Sequence, residues 1–369
     1  MRYMILSRFS LHDTSRCLRV SILRGRGSHW SVRSGLHPCR QTQRVRFCTC
    51  ESSVHITTSM QPKVTVAQCV AGLERQLPRK WAEEWDKPGM SVGDPADVVT
   101  GIVTAVDIST PVMDFAEKHG ANMILTHHPL LMKPLTSLIS NAYTAPERYA
   151  YRLVKSGITH WSAHTNLDAA SAGSSRHLGE RLGLEGLTSL VPLTEATTPS
   201  PSPAQIAASP SPSPSGAVVT PSTSGEEEDG SAPLSYFGTG AYGVFPSARP
   251  LSEVLTQLKT LCGGGLRVAK GFSLPDVSDI SVRKVGIVSG SGMSLVGKAL
   301  KRKCDLFITG DADHHRVLDV LDKKIVICAC GHFETEKDTT ETLAALSLSL
   351  FPGVPVTPYT GGRVFEHLC

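Results

Sequence analysis

Acidic residues are almost missing from the start of this chain. Residues 1–50 hold ten arginines, no lysine and one acid, Asp13, a net +9, whereas the whole chain carries only +4. The remaining residues therefore sum to −5, and the basic isoelectric point belongs to the leading segment alone. A nucleic-acid partner is not expected for such a body. Long apolar runs are missing too, and none approaches the roughly 20 residues of a membrane-spanning helix. The ten cysteines form no Cys-x-x-Cys pair, which argues against a thiolate zinc site. Cys17, Cys39, Cys48 and Cys50 lie in the leading segment, and the others read as buried free thiols in a reducing compartment. No Gly-Lys-Ser/Thr follows the glycine-rich turn near residue 290, so a P-loop is excluded.

What is present divides the 369 residues into four parts. Residues 1–60, rich in arginine and serine and without the uncharged core of a secretory signal, read as an organelle transit leader. The mitochondrion is preferred to the plastid. A start at Met60 would leave the protein cytoplasmic. Residues 61–193 form a first α/β half. Residues 194–235 are dominated by Pro, Ser, Thr and Ala, with an acidic knot at Glu226–Asp229, and read as a disordered linker. Residues 236–369 form a second α/β half.

In the first half, Val98–Asp107, Met123–Thr126 and Ile158–Ala163 have strand character, and helices are expected over 111–119, 147–156 and 175–182. In the second half, strands at 285–288, 306–311 and 325–329 alternate with helices at 295–302 and 317–321. Three pairs match in order: Gly101-Ile102-Val103 with Gly286-Ile287-Val288, the run from Ile124 to His128 with the run from Phe307 to Asp311, and His164-x-x-x-Asp168 with His332-x-x-x-Glu336. The fold class read from this pattern is α/β, two similar domains from an internal duplication with mainly parallel sheets.

The chemistry-bearing residues follow the strands. His127 and His128 close the apolar run Met123–Leu125, and Pro129 should stop that strand. The carboxyl ends of strands are where open α/β sheets bind ligands. Adjacent histidines at a strand end can splay toward two ions. Imidazole and carboxylate together suit zinc, manganese, iron, cobalt or nickel. Two dications about 3.5–4 Å apart favour a bridging carboxylate. His164 reads as a ligand, an orienting group or a general acid. Asp311 and His315 read as groups that orient ligands or water, with a strand-end cap as the alternative for Asp311. His314 reads as outward-facing, and Glu334 as a solvated neighbour of Glu336. Gly290-Ser291-Gly292 reads either as a phosphate cradle or as a tight strand-to-helix turn.

Taken together, Trp85-Asp86-x-x-Gly89, the run from Thr126 to Leu130, the run from His164 to Asp168, Gly290-Ser291-Gly292, Thr309-Gly310-Asp311 with His314-His315, and Gly331-His332 with Thr335-Glu336 resemble a dinuclear-metal family. It is known as the GTP cyclohydrolase I type 2 homologues, or the Ngg-one-interacting-factor-three-like family. The resemblance implies two α/β domains with a metal site in the cleft between them. It implies two divalent ions held by His127, His128, Asp168, His332 and Glu336, with Glu336 bridging. It also implies a toroidal homohexamer. For function, it suggests a metal-dependent hydrolase of a small molecule such as a nucleotide, the alternative being a non-catalytic metal-binding scaffold. Lys87 stands where relatives carry asparagine, no arginine follows Gly240, and Pro355–Cys369 does not resemble the family's closing segment.

Overall fold

The computed structural model describes residues 63–193 and 237–365, with the backbone of residues 19–24 and 30–35. The chain divides into two units, Met1–Ser59 and Met60–Cys369. In the first, β1 (Arg19–Arg24) pairs antiparallel with β2 (Trp30–Gly35). The rest of the expected leader and the whole expected linker lie outside the described residues.

The second unit runs α1 (Val66–Gln76), β3 (Gly89–Val92), β4 (Ile102–Ala105), α2 (Thr110–Lys118), β5 (Met123–Thr126), α3 (Ala145–Ser156), β6 (Thr159–Ser162), α4 (Thr165–Asp168), α5 (Ser174–Leu182), β7 (Glu185–Thr188) and β8 (Val191–Pro192). It continues with β9 (Gly238–Thr239), β10 (Ala241–Pro250), α6 (Leu251–Cys262), β11 (Arg267–Lys270), β12 (Ser281–Val288), α7 (Val296–Lys301), β13 (Leu306–Thr309), α8 (His314–Leu318), β14 (Val326–Ala329), α9 (His332–Glu336), α10 (Thr339–Leu350) and β15 (Val356–Pro358). Helix α8 begins three residues before the expected 317–321, because Asp313 caps it by accepting from Arg316 N at 3.0 Å.

The architecture is mixed α/β. One sheet has the order β15-β4-β5-β6-β3, with β15, β4, β5 and β6 parallel and β3 antiparallel to β6. The other has the order β11-β14-β13-β12-β10-β7, with β12, β13 and β14 parallel and the outer strands antiparallel. All four residues of β4, β5, β6, β13 and β14 are buried. Parallel strands covered on both faces read as near-continuous apolar runs, as β4, β5, β13 and β14 mostly do, whereas β6 buries Thr159, His160 and Ser162.

Local signals set the helices around these sheets. Helix α1 starts at a capping box, in which Thr65 Oγ1 accepts from Gln68 N at 3.3 Å and Gln68 Oε1 from Thr65 N at 2.9 Å. It buries Val66, Cys69 and Leu73, spaced for one helix face, against Ile102, Met123 and Leu125. Full burial of Leu73 contributes about 2 kcal/mol, so Leu73→Ala is expected to cost about 3 kcal/mol once the cavity is counted. Helix α3 ends at Gly157, whose φ of +62° few side-chain-bearing residues adopt.

The division at the linker is crossed in both directions. Helix α5 and β7, which precede the linker, pack into the second sheet, with Leu178, Leu182 and Leu187 in one core with Phe245, Leu251 and Val254. Helix α10 and β15, at the other end, return to the first. Leu343 and Leu346 join the core of α1, and β15 pairs with β4. Without α10, one apolar face of the first sheet would stand open. Among the described residues no helix is long and apolar enough to cross a membrane.

Candidate metal centre

The carboxyl ends of the two parallel strand runs meet. His127 and His128 extend β5, since their N–H groups donate to Ala105 O at 3.2 Å and Val106 O at 3.0 Å. His164 follows β6, and Asp168 lies one turn later on α4. Past β14, Gly331 turns the chain into α9, which places His332 and Glu336 on successive turns.

Four of the sequence-derived residues gather around the fifth, Glu336. Its Oε2 lies 3.1 Å from His128 Nε2 and 3.2 Å from His332 Nε2, and its Oε1 lies 3.7 Å from His127 Nε2. Asp168 Oδ2 is 3.8 Å from His127 Nε2, and the Nε2 atoms of His128 and His332 stand 3.3 Å apart. His127, His128 and His164 each offer a ligand atom within 4.8 Å of the others, as do His128, His332 and Glu336. His127 is wholly buried, whereas the side chain of His332 is 37% exposed.

Every one of these imidazoles is fixed through Nδ1. His127 Nδ1 donates to Ala163 O at 2.9 Å, His128 Nδ1 to Asp107 Oδ1 at 2.8 Å, His164 Nδ1 to Asp86 Oδ1 at 2.8 Å and His332 Nδ1 to Asp311 Oδ2 at 2.6 Å. An imidazole that donates through one nitrogen offers the lone pair of the other, which is how ligating histidines are oriented. Ser291 Oγ in turn donates to Asp311 at 2.9 Å, and Ser174 Oγ donates to Asp168 Oδ1 at 2.9 Å.

The donor set fits a metal ion. Glu336 Oε2 and His127 Nε2 are buried without a hydrogen-bond partner, although imidazole nitrogens lie close to the carboxylate. Those contacts are near in distance but off the hydrogen-bond axis. Buried polar atoms are normally satisfied, and a metal ion held among them would satisfy both.

Metal-free, the cluster retains protons. Burial disfavours charge on His128, but its hydrogen bond to Asp107 and the nearby negative charge of Glu336 outweigh it and raise its pKa to about 10. Pairing with Glu336 and then Asp311 raises His332 to about 9 against the opposing effect of burial. Burial works against a charged His127 as well, yet Asp168 and Glu336 move it upward. Glu336 is held well below the carboxylate range by the three histidines, despite its burial. Asp168 is raised, chiefly by burial. Asp86 is also buried, but hydrogen bonds from His164 and Thr165 outweigh that and hold it at about 2.

Asp107 and Asp86 were not singled out by chemistry in the sequence. Asp107 could have been found as the acid ending the strand beside β5. Asp86 could have been found in the Trp85-Asp86 motif. Asp86 also accepts from Thr165 N at 3.0 Å and from Thr165 Oγ1, which anchors its loop under His164. Trp85 on that loop is 58% exposed and sits edge-on to His164, with ring centroids 5.8 Å apart. Asp311 takes the orienting role, through His332. His315 is exposed on α8 with its ring against His314 at 5.3 Å, and among the described residues no hydrogen bond or ion pair joins its side chain to the cluster. Glu334 is not solvated as expected. It is buried, and its Oε1 lies 3.1 Å from Arg363 Nε.

The glycine-rich turn resolves toward its tight-turn reading. The Gly290 N–H donates to Thr335 Oγ1 and that of Gly292 to Thr309 Oγ1, so both are already used. Gly290 has φ +63°, and a Cβ there would lie 2.1 Å from Glu336 Oε1. Glycine is needed because the turn runs against the central carboxylate.

Comparison with known proteins bears on the family and the fold. The profile of the Duf34/NIF3 (NGG1p interacting factor 3) family matches residues 64–354. A Clostridium perfringens protein named GTP cyclohydrolase 1 type 2 homolog is 29% identical over 265 residues, 72% of this chain and 84% of the relative. The Drosophila melanogaster NIF3-like protein 1 is 25% identical over 273 residues, 74% of this chain and 78% of the relative. Among solved structures, a hypothetical protein from Staphylococcus aureus superposes with a TM-score of 0.66 at 21% identity, covering 83% of this chain and 100% of that one. A Bacillus cereus protein related to NIF3 gives the same TM-score at 20% identity, covering 84% and 100%. From its matched residues and its fold, the chain belongs to the Duf34/NIF3 family.

Proposed function

We propose that this chain is a dinuclear divalent-metal hydrolase of a small molecule, with nucleotides as the first substrate class to try. The observation that carries the reading is the convergence of imidazole Nε2 atoms on Glu336, with two of the cluster's atoms buried and unpartnered. His127, His128, Asp168, His332 and Glu336 would hold two ions of zinc, manganese, iron, cobalt or nickel. Such ions lower the pKa of bound water and supply hydroxide near neutral pH.

The chain's own residues prepare the rest. Asp107 and Asp311 keep His128 and His332 in the tautomer that offers Nε2. Asp86 does the same for His164, whose Nε2 turns toward the cluster and can hold or pass a proton there. The parallel runs β4-β5-β6 and β12-β13-β14 have the same strand order, and each places ligands at its carboxyl ends, which supports reading the sheets as two copies of one unit with the centre in a cleft between them. The nucleotide suggestion comes from the name that curated relatives carry, GTP cyclohydrolase 1 type 2 homolog. By resemblance, the chain assembles as a homohexamer, which light scattering can test. Its arginine-rich leader directs it to the mitochondrion, where the N-terminal sequence of the mature protein is expected to begin between about residues 45 and 65.

The test is hydrolysis of a nucleotide panel by protein loaded in turn with each candidate metal, beside Glu336→Gln. Turnover that needs metal and disappears in the variant is expected. Two bound ions with no turnover on any nucleotide would instead support a metal-binding scaffold.

A further inference from the structure

The segment after β15 crosses from the first sheet to the helix that carries His332 and Glu336. Tyr359 N donates to Thr104 O at 2.8 Å, which continues the β15–β4 pairing, and the Tyr359 ring stands edge-on to Phe115 at 5.3 Å. The chain then passes over α9, where a Cβ on Gly362 would lie 3.3 Å from the Phe333 ring. One residue on, Arg363 Nε meets Glu334 Oε1 at 3.1 Å, and Arg363 Nη2 donates to Gly263 O at 2.8 Å. Gly263 is the C-cap of α6, whose carbonyls at Leu261 and Cys262 accept from Lys337 Nζ at 2.9 and 3.1 Å. Two cations thus gather at a helix C-terminus, where the exposed carbonyls and the dipole favour them.

Glu334 is the reason this contact bears on the metal centre. It lies between His332 and Glu336 on a five-residue helix. Its side chain is 6% exposed, whereas that of Arg363 is 40% exposed. Taking a cation away from beside a buried carboxylate is unfavourable and draws the carboxylate toward water. On a helix this short, that movement turns the residues on either side. The segment making the contact lies beyond residue 354, where the family match ends.

We propose that residues 359–365 form a strap across α9, in which Arg363, acting through Glu334, is a positioning residue for His332 and Glu336. The proposal rests on the reading of those two residues as metal ligands. Its test is zinc affinity of the full chain, measured by competition with a chromophoric chelator, for wild type, Arg363→Ala and Arg363→Lys, with thermal melting of each metal-free form. Arg363→Ala is expected to weaken zinc binding about tenfold, the lower end of what losing an orienting partner costs. Arg363→Lys, which keeps a cation beside Glu334, is expected to recover most of that loss. Wild-type zinc affinity in Arg363→Ala would overturn the strap. So would a lysine variant as weak as the alanine one, or a lower metal-free melting temperature with zinc affinity unchanged. Wild-type protein that binds no zinc or other divalent ion would instead defeat the metal-site reading itself.

Discussion

The two sheets furnish the candidate metal centre in different ways. The first supplies His127, wholly buried, with its Nδ1 held by the backbone carbonyl of Ala163. The second supplies His332, 37% exposed, with its Nδ1 held by Asp311, itself 53% exposed. Core packing therefore fixes His127, and charge pairing on a short helix fixes His332. Substitution of His127 should couple metal to folding, and substitution of His332 should separate them.

The largest effect is expected from removing a ligand on each side. His127→Ala should abolish tight metal binding and also cost on the order of 2 kcal/mol of metal-free stability, because it leaves a cavity and an unsatisfied Ala163 carbonyl. His332→Ala should lose metal to a similar extent while its metal-free unfolding midpoint in urea stays near wild type. Equal destabilisation by the two would erase the distinction between the sides.

The next effect is that of pH. His128 and His332 have folded-state pKa values raised to about 10 and about 9, so they are protonated at neutral pH in the metal-free protein. Divalent ions must displace those protons. Affinity should rise with pH up to about 10, by about tenfold per unit for each proton displaced. Calorimetry in buffers of different ionisation enthalpy reads the protons directly. The sign reverses for metal-free stability. A raised histidine pKa stabilises fully below about 6.5, and that contribution is lost as pH rises through 9 to 10. The metal-free protein should therefore melt progressively lower over that range.

A smaller effect separates the orienting carboxylates. Asp86 is buried and accepts from His164 and Thr165, whereas Asp311 is half exposed. Asp311→Asn is expected to weaken metal binding about tenfold, because it orients the ligand His332, and Asp86→Asn by less, because it orients His164, which is not one of the five ligands. The reverse order in a chelator competition would mean that His164 is itself a ligand.

The sequence made one part of this layout legible and hid another, for physical reasons. Strand β5 and its two histidines were legible because an unbroken apolar run ending at Pro129 is a local signal. His332 and Glu336 were legible because a four-residue spacing places both on one helix face. Strand β15 was not, since three residues carry almost no pattern and their partner β4 lies more than 250 positions earlier. The exchange of α5 and α10 between sheets is equally non-local. Glu334 was misread as solvated because its partner, Arg363, is set by the path of the tail and by no nearby residue. Asp86 illustrates a third case. Its motif was visible, but only the folded loop shows that it grips His164 and Thr165 together.

Bridging by Glu336 is tested most directly by metal content per chain, measured by elemental analysis of wild type and Glu336→Gln after loading and desalting. A carboxylate whose two oxygens face His127, His128 and His332 offsets the repulsion of two dications, and its loss should empty both positions. The expected result is two ions per chain in wild type and fewer than about one in the variant. Two ions retained by Glu336→Gln would contradict the bridge.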